Sequence, residues 1–146
     1  MENKDFCNCE INRLTVGVVK KIRKKQDEFL SPFGLTHYHA TYIENLDRFG
    51  ELSMGDLTDL TNTDKANTTR VIRDLLDKDV VTKHGGERKF VIKLSEFGKQ
   101  IAKDFRLKVC RFMKKVMDRF EQNDILKLKE LLTRMFDGLT HAIEEA

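Results

Sequence analysis

Pro32 is the only proline in this chain of 146 residues, and it stands among only eight glycines. A backbone so rarely interrupted is free to run in long helices, so the few interruptions mark out the fold. Before Pro32, the residues Ile11, Leu14, Val18, Ile22 and Phe29 recur at helical spacing. Arg13, Lys20, Lys21, Arg23, Lys24 and Lys25 fill the positions between them, predicting a long amphipathic helix. Ser31-Pro32 ends it, because proline pushes the preceding residue out of the helical region, and Gly34 allows the chain to reverse. Thr36 is placed to cap a second helix carrying Ala40, Tyr42, Ile43, Leu46 and Phe49, closed by Gly50. Ser53 and Asp56 have capping-box spacing and predict a short third helix with Leu57 and Leu60 inward. After the polar break Thr61-Asn62-Thr63-Asp64, a fourth helix is predicted over 65–77, with Ala66, Thr69, Ile72, Leu75 and Leu76 at buried spacings. Two helices joined by four polar residues read as a helix-turn-helix.

Gly85-Gly86 then separates two strand-like runs and offers the positive φ angles that a two-residue hairpin turn needs. Pairing His84 with Glu87 would set Val81 opposite Phe90. It would put Phe90, Ile92 and Leu94 on the core face, with Lys89 and Lys93 on the other. Ser95 is placed to cap a helix running towards Phe120, and Asn123 or Asp124 to start a last one through Ile125, Leu128, Leu131, Leu132, Met135, Phe136 and Leu139.

The predicted fold is mostly α: a winged helix-turn-helix with a two-stranded wing over 32–98, flanked by helices over 9–31 and 99–146, in one domain spanning 1–146. Apolar residues are 40% of the chain and charged residues 35%, enough for one core and too much charge for a membrane protein. No apolar run is long enough to span a bilayer, and Met1-Glu2-Asn3-Lys4-Asp5 lacks a signal peptide's apolar stretch, so a cytoplasmic location and no membrane partner are expected. The flanking helices carry more apolar surface than so small a middle lobe can cover. A second copy is the simplest cover, so they are read as dimerisation helices of a homodimer.

Several segments, taken in order, carry a resemblance: Ser31-Pro32-Phe33-Gly34-Leu35-Thr36, Leu52-Ser53-Met54-Gly55-Asp56-Leu57, Thr69-Arg70-Val71-Ile72-Arg73-Asp74-Leu75, Arg88, and Leu94-Ser95-Glu96-Phe97-Gly98. Their order and spacing resemble the MarR family of winged-helix transcriptional regulators, from about Ile11 to the C-terminus. The resemblance implies a dimeric bacterial or archaeal regulator whose outer helices pair and whose winged lobes read a pseudo-palindromic operator, here expected to act as a repressor. One departure stands out. The family's wing usually carries an Asp two residues before its Arg, and Gly86 occupies that place.

Double-stranded DNA as partner requires cations facing phosphates and donors or methyl-contacting groups facing base edges. On the fourth helix Lys65, Asn67, Thr68, Arg70, Val71 and Arg73 lie largely off the predicted buried stripe. Asn67 suits adenine, Arg70 guanine or a phosphate, and Val71 a thymine methyl. In the wing, Lys83, Arg88, Lys89 and Lys93 stand against Glu87 alone, and Arg88 near the tip is placed to reach a minor groove.

Other groups have plainer readings. The basic runs Lys20, Lys21, Arg23, Lys24, Lys25 and Arg106, Lys108, Arg111, Lys114, Lys115 read as solvated rims of the outer helices. Some members of the resembled family sense peroxide through a cysteine at the start of the first helix, which makes Cys7 and Cys9 redox candidates; incidental thiols on a flexible N-terminus, with Cys110 packed, are the simpler reading. Cys-x-Cys is not a common zinc spacing, and His37 and His39 point to different helix faces, so no metal or other cofactor is expected. Many members bind small aromatic anions between the DNA lobe and the dimer helices. Phe33, His37, Tyr38 and Tyr42 are the matching candidates for a phenolic effector, against an ordinary role in the core.

No glycine-rich phosphate loop, nucleophile elbow or recognised pairing of His with carboxylate or Cys supports an enzyme. The competing function is a winged-helix dimer whose basic wing meets an acidic protein instead of DNA.

Overall fold

The computed structural model describes residues 2–146, with side chains from Cys7 onward. In chain order the elements are α1 (Glu2–Leu30), a 3-10 turn at Ser31–Phe33, α2 (His37–Phe49), β1 (Glu51–Leu52), α3 (Met54–Thr61), α4 (Lys65–Asp77), β2 (Val81–Gly85), β3 (Phe90–Leu94), α5 (Glu96–Met117) and α6 (Gln122–Glu145). The chain divides into two compact units, one reaching to Lys108 and the other Val109–Ala146. α1 covers more than its apolar stripe predicts, and Cys7 and Cys9 lie within it.

The first unit is built on caps that the sequence announces. The Thr36 backbone N–H donates to His39 Nδ1 at 3.0 Å and opens α2. Ser53 Oγ accepts from the Asp56 N–H at 3.1 Å while Asp56 Oδ2 accepts from the Ser53 N–H at 3.3 Å, opening α3. Asp64 Oδ1 accepts from the Asn67 N–H at 2.7 Å and opens α4. These elements close over one core that includes Leu30, Leu35, Ile43, Leu46, Leu57, Ile72, Leu75, Ile92 and Phe105. Burial continues past residue 98 through Ile101, Ala102 and Phe105, so the first turns of α5 complete the core of the winged lobe.

The sheet has three antiparallel strands in the order β1-β3-β2, one more than the two-stranded wing expected. β1 is only two residues long, too short to leave a pattern, yet it pairs Glu51 with Lys93 and Leu52 with Ile92. An ion pair of 3.2 Å between Lys93 and Glu51 reinforces that edge. The hairpin also differs in register. Val81 opposes Leu94 and Gly85 opposes Phe90, so the loop comprises residues 86–89 instead of Gly85-Gly86 alone. The shift is even, so Ile92 and Leu94 still face the core. Gly85, at φ +120°, is where the chain turns out of β2; a Cβ there would lie 2.6 Å from the Lys89 carbonyl oxygen.

Leu60, expected inward, is exposed, as is Phe49 at the end of α2. α4 spans the predicted residues but is rotated about its axis: Thr68, Val71, Ile72 and Leu75 are buried, whereas Ala66 and Thr69 face outward.

Candidate nucleic-acid interface

α4 and the wing meet in an open groove. Its walls are the start of α3 (Ser53, Met54, Gly55, Thr58, Asp59), Lys65 and Thr69 on α4, and Arg88, Lys89 and Phe90 from the wing, enclosing about 690 Å³. Two of its cations therefore come from the wing tip and one from the first turn of α4. Lys83 sits with Nζ 4.0 Å from the centre of the Phe90 ring, a cation–π contact on the strand below the loop. Beside the N-terminal end of α4 a second cleft, of about 340 Å³, is lined by Thr63, Asp64, Ala66, Asn67 and Arg70.

Of the nine residues proposed from sequence for DNA contact, Lys65, Arg70, Arg73, Lys83, Arg88 and Lys89 are exposed and Asn67 is half-buried. Thr68 and Val71 are not available: their side chains are 0% and 7% exposed and belong to the core. The reason is chemical. A buried threonine needs partners for its hydroxyl, and Thr68 has Thr58 Oγ1 at 2.9 Å, Thr63 Oγ1 at 3.3 Å and the Asp64 carbonyl at 3.2 Å. Thr69, Ala66, Ser53 and Met54 take up surface positions that the sequence reading missed. Thr69 matches the apolar spacing of its helix, and Ser53-Met54 carry the signature of a helix start, so neither pattern marks a contact surface.

α4 is tied down from behind by α2. The Tyr42 hydroxyl lies 2.9 Å from Thr63 Oγ1 and 3.4 Å from Thr68 Oγ1 and accepts from Asn67 Nδ2 at 3.3 Å. Burial raises the Tyr42 phenol, but the surrounding threonine and asparagine groups outweigh it and leave the phenol below its ordinary value. His39 Nε2 meets Asp74 Oδ2 at 2.6 Å, and Lys78 Nζ donates to Asp74 Oδ1 at 2.7 Å. The Lys78 hydrogen bond, followed by opposing burial and the His39 contact, holds the Asp74 carboxyl below the usual carboxylate range.

The aromatic effector candidates are not gathered into one wall. Tyr42 is 2% exposed with its hydroxyl spent on the α3–α4 turn, so it cannot line a ligand cleft. Phe33 packs edge-on against Phe97 with ring centres 6.2 Å apart. His37 bonds to Asp27 through Nδ1 at 2.8 Å and stacks against Tyr38 at 4.1 Å, leaving Tyr38 largely exposed. The two histidines thus serve different carboxylates. Among the described residues no group of three or more His, Cys, Asp or Glu side chains is arranged to hold a metal ion, and no helix is long and apolar enough to cross a membrane. Cys7, Cys9 and Cys110 are exposed free thiols, so Cys110 is not packed as the plainer reading held.

The basic runs are partly neutralised in place. On α1 Lys25 pairs with Glu28 at 2.7 Å; on α5 Arg106 pairs with Asp47, and Lys108 with Asp104 at 2.9 Å. Lys65, Arg88 and Lys89 face the groove, and Arg70 faces the second cleft.

Residues 33–89, the stretch that carries α2, α4 and the wing tip, match the model of the MarR family. No curated protein sequence matches the chain. Among solved structures, a MarR family protein from Bacillus stearothermophilus has a TM-score of 0.80 at 19% identity, covering 93% of this chain and 97% of that one. A MarR transcriptional regulator from Methanosarcina mazei has a TM-score of 0.80 at 21% identity, covering 89% of this chain and 90% of that one. A cysteine-to-serine mutant of MarR from E. coli, complexed with operator DNA, has a TM-score of 0.75 at 18% identity, covering 86% of this chain and 93% of that one. Such identities establish a shared fold. With the family model matching the lobe that forms the groove, the chain has a winged-helix fold similar to that of these MarR family structures.

Proposed function

We propose that the chain is a DNA-binding transcriptional regulator that works as a homodimer on a pseudo-palindromic duplex. α4 enters the major groove and the wing loop reaches an adjacent minor groove. The observation that carries this reading is the convergence of Lys65 and Thr69 on α4 with Arg88 and Lys89 of the wing around one open groove. Cations there meet phosphates, and the α4 surface between them faces base edges. The structurally similar E. coli protein complexed with operator DNA supports the same use of the fold. Lys65, Asn67, Arg70, Arg73, Lys83, Arg88 and Lys89 remain the proposed contacts, joined by Thr69, while Thr68 and Val71 drop out.

Dimerisation rests on apolar surface left uncovered on two helices. α1 exposes Ile11, Leu14 and Val18; α6 exposes Leu132, Phe136, Leu139 and Ile143. Chains that work alone seldom leave so many large apolar side chains open to water. A dimer bound across a promoter represses by excluding the transcription machinery, and such work places the protein in the cytoplasm.

The test is selection of duplexes by the purified protein, followed by titration of the selected duplex at several salt concentrations. Enrichment of a two-fold-symmetric site, with affinity falling steeply with salt, is expected. Failure to enrich any duplex, with nuclease-resistant capture of an acidic protein instead, would transfer the groove to a protein partner.

A further inference from the structure

Asn67 is placed where it can point into a DNA groove, but both ends of its amide are already engaged. We infer that Asn67 is a positioning residue, held by Tyr42, that aims the Arg70 guanidinium at a base edge, so that Arg70 and not Asn67 reads sequence at this point of α4. The inference rests on the DNA-binding reading above.

The direction of the hydrogen bonds behind α4 follows from counting protons. Thr61 Oγ1 gives its proton to the Leu57 carbonyl at 2.6 Å, so towards Thr63 Oγ1, 2.9 Å away, it accepts. The Thr63 proton goes to Thr61, and Thr63 therefore accepts from the Tyr42 hydroxyl at 2.9 Å. With its proton directed to Thr63, the Tyr42 oxygen is an acceptor, and Asn67 Nδ2 donates to it at 3.3 Å. This settles which end of the amide faces inward. Asn67 Oδ1 must face out, and there it accepts from Arg70 Nη2 at 2.5 Å.

The chain from the Leu57 carbonyl to the Arg70 guanidinium is continuous, and it starts in the core. Tyr42 is 2% exposed, Asn67 is half-buried and Arg70 is exposed. One Arg70 N–H is committed to Asn67, and Arg70 lines the cleft shared with Thr63, Asp64 and Ala66. A guanidinium fixed in this way loses less side-chain freedom on binding guanine O6 and N7 than a free one. An Asn67 reading adenine would have to give up both of its present partners.

The experiment uses the full chain, the selected duplex, its single-base-pair variants and an unrelated duplex of equal length. Arg70→Ala is expected to lose about tenfold discrimination or more at one base-pair position. Tyr42→Phe, which keeps the ring and removes the oxygen, is expected to lose roughly three- to tenfold at that same position, with affinity for the unrelated duplex unchanged. Asn67→Ala, which removes the link between the Tyr42 oxygen and Arg70 Nη2, is expected to lose discrimination at that same position. In the Arg70→Ala background neither change has a further effect on discrimination. Effects of Tyr42→Phe that persist in that background, that fall on all duplexes alike, or that are absent, each overturn the inference. Nitrogen-15 relaxation of the Arg70 Nε–H and the Asn67 side-chain amide in the free protein supplies a readout without DNA. Both are expected to be ordered in the wild type and mobile in Tyr42→Phe; a mobile Arg70 in the wild type contradicts the inference. If no duplex binds, the DNA-binding reading falls, and the relaxation measurement alone still decides whether Tyr42 and Asn67 hold Arg70.

Discussion

At Gly98 a single missing carbon joins the wing to α5. The Val80 carbonyl accepts from the Ser95 N–H at 3.0 Å, and the Gly98 N–H donates to Ser95 Oγ at 2.9 Å, drawing the first turn of α5 onto the strand. A Cβ on Gly98 would lie 2.0 Å from that carbonyl oxygen. Gly98→Ala is therefore expected to destabilise the protein by on the order of 1–3 kcal/mol in urea unfolding, as forced overpacking does; an unchanged midpoint would contradict the packing described. A second residue-scale expectation concerns acid. The Asp74 carboxyl is held below its ordinary range chiefly by the Lys78 hydrogen bond, and a carboxylate so depressed stabilises the fold only while ionised. Its contribution is complete above about pH 5 and is lost as pH falls through the folded value. Wild-type unfolding midpoints should accordingly drop more between pH 5 and acid than those of Asp74→Asn. Parallel pH profiles would remove Asp74 from the account of how α2 grips α4.

Among the elements, α4 shows where pattern reading stops. Its ends were legible because Asp64 caps it and polar residues precede it, but its rotation was not. The buried positions include Thr68, whereas the apolar spacing points to its neighbour Thr69. What makes that burial tolerable is the hydroxyl cluster of Tyr42, Thr58, Thr63 and Thr68, contributed by α2, α3, the turn and α4. No sequence window contains it. β1 was invisible for a different reason, since its two residues show no alternation and pair with a strand some forty residues away. The wing was legible as a basic hairpin with a correct core face, and its longer loop escaped notice because Gly-Gly suits a two-residue turn equally well. That loop carries the prediction for this scale. Arg88→Ala is expected to weaken binding to every duplex by a similar factor and to lower the slope of log affinity against log salt by about one, as loss of a single phosphate contact does. An altered base preference with an unchanged slope would instead make Arg88 a reader of sequence.

At the level of the whole molecule, the apolar faces of α1 and α6 were legible from spacing alone, since Leu131, Leu132, Phe136 and Leu139 follow the helical period and are exposed in the single chain. In the proposed dimer a second copy covers them. Phe136→Glu combined with Ile143→Glu is expected to yield a folded monomer by sedimentation, because both side chains are about 70% exposed at 69% and 71% and take no part in the core. A dimer that survives both changes would place the contact elsewhere. The most direct measurement of the central claim is the stoichiometry and salt dependence of the complex with a selected duplex, read together by sedimentation. Two chains per duplex, with affinity falling steeply as salt rises, is the predicted result; one chain per duplex, or binding indifferent to salt, would contradict it.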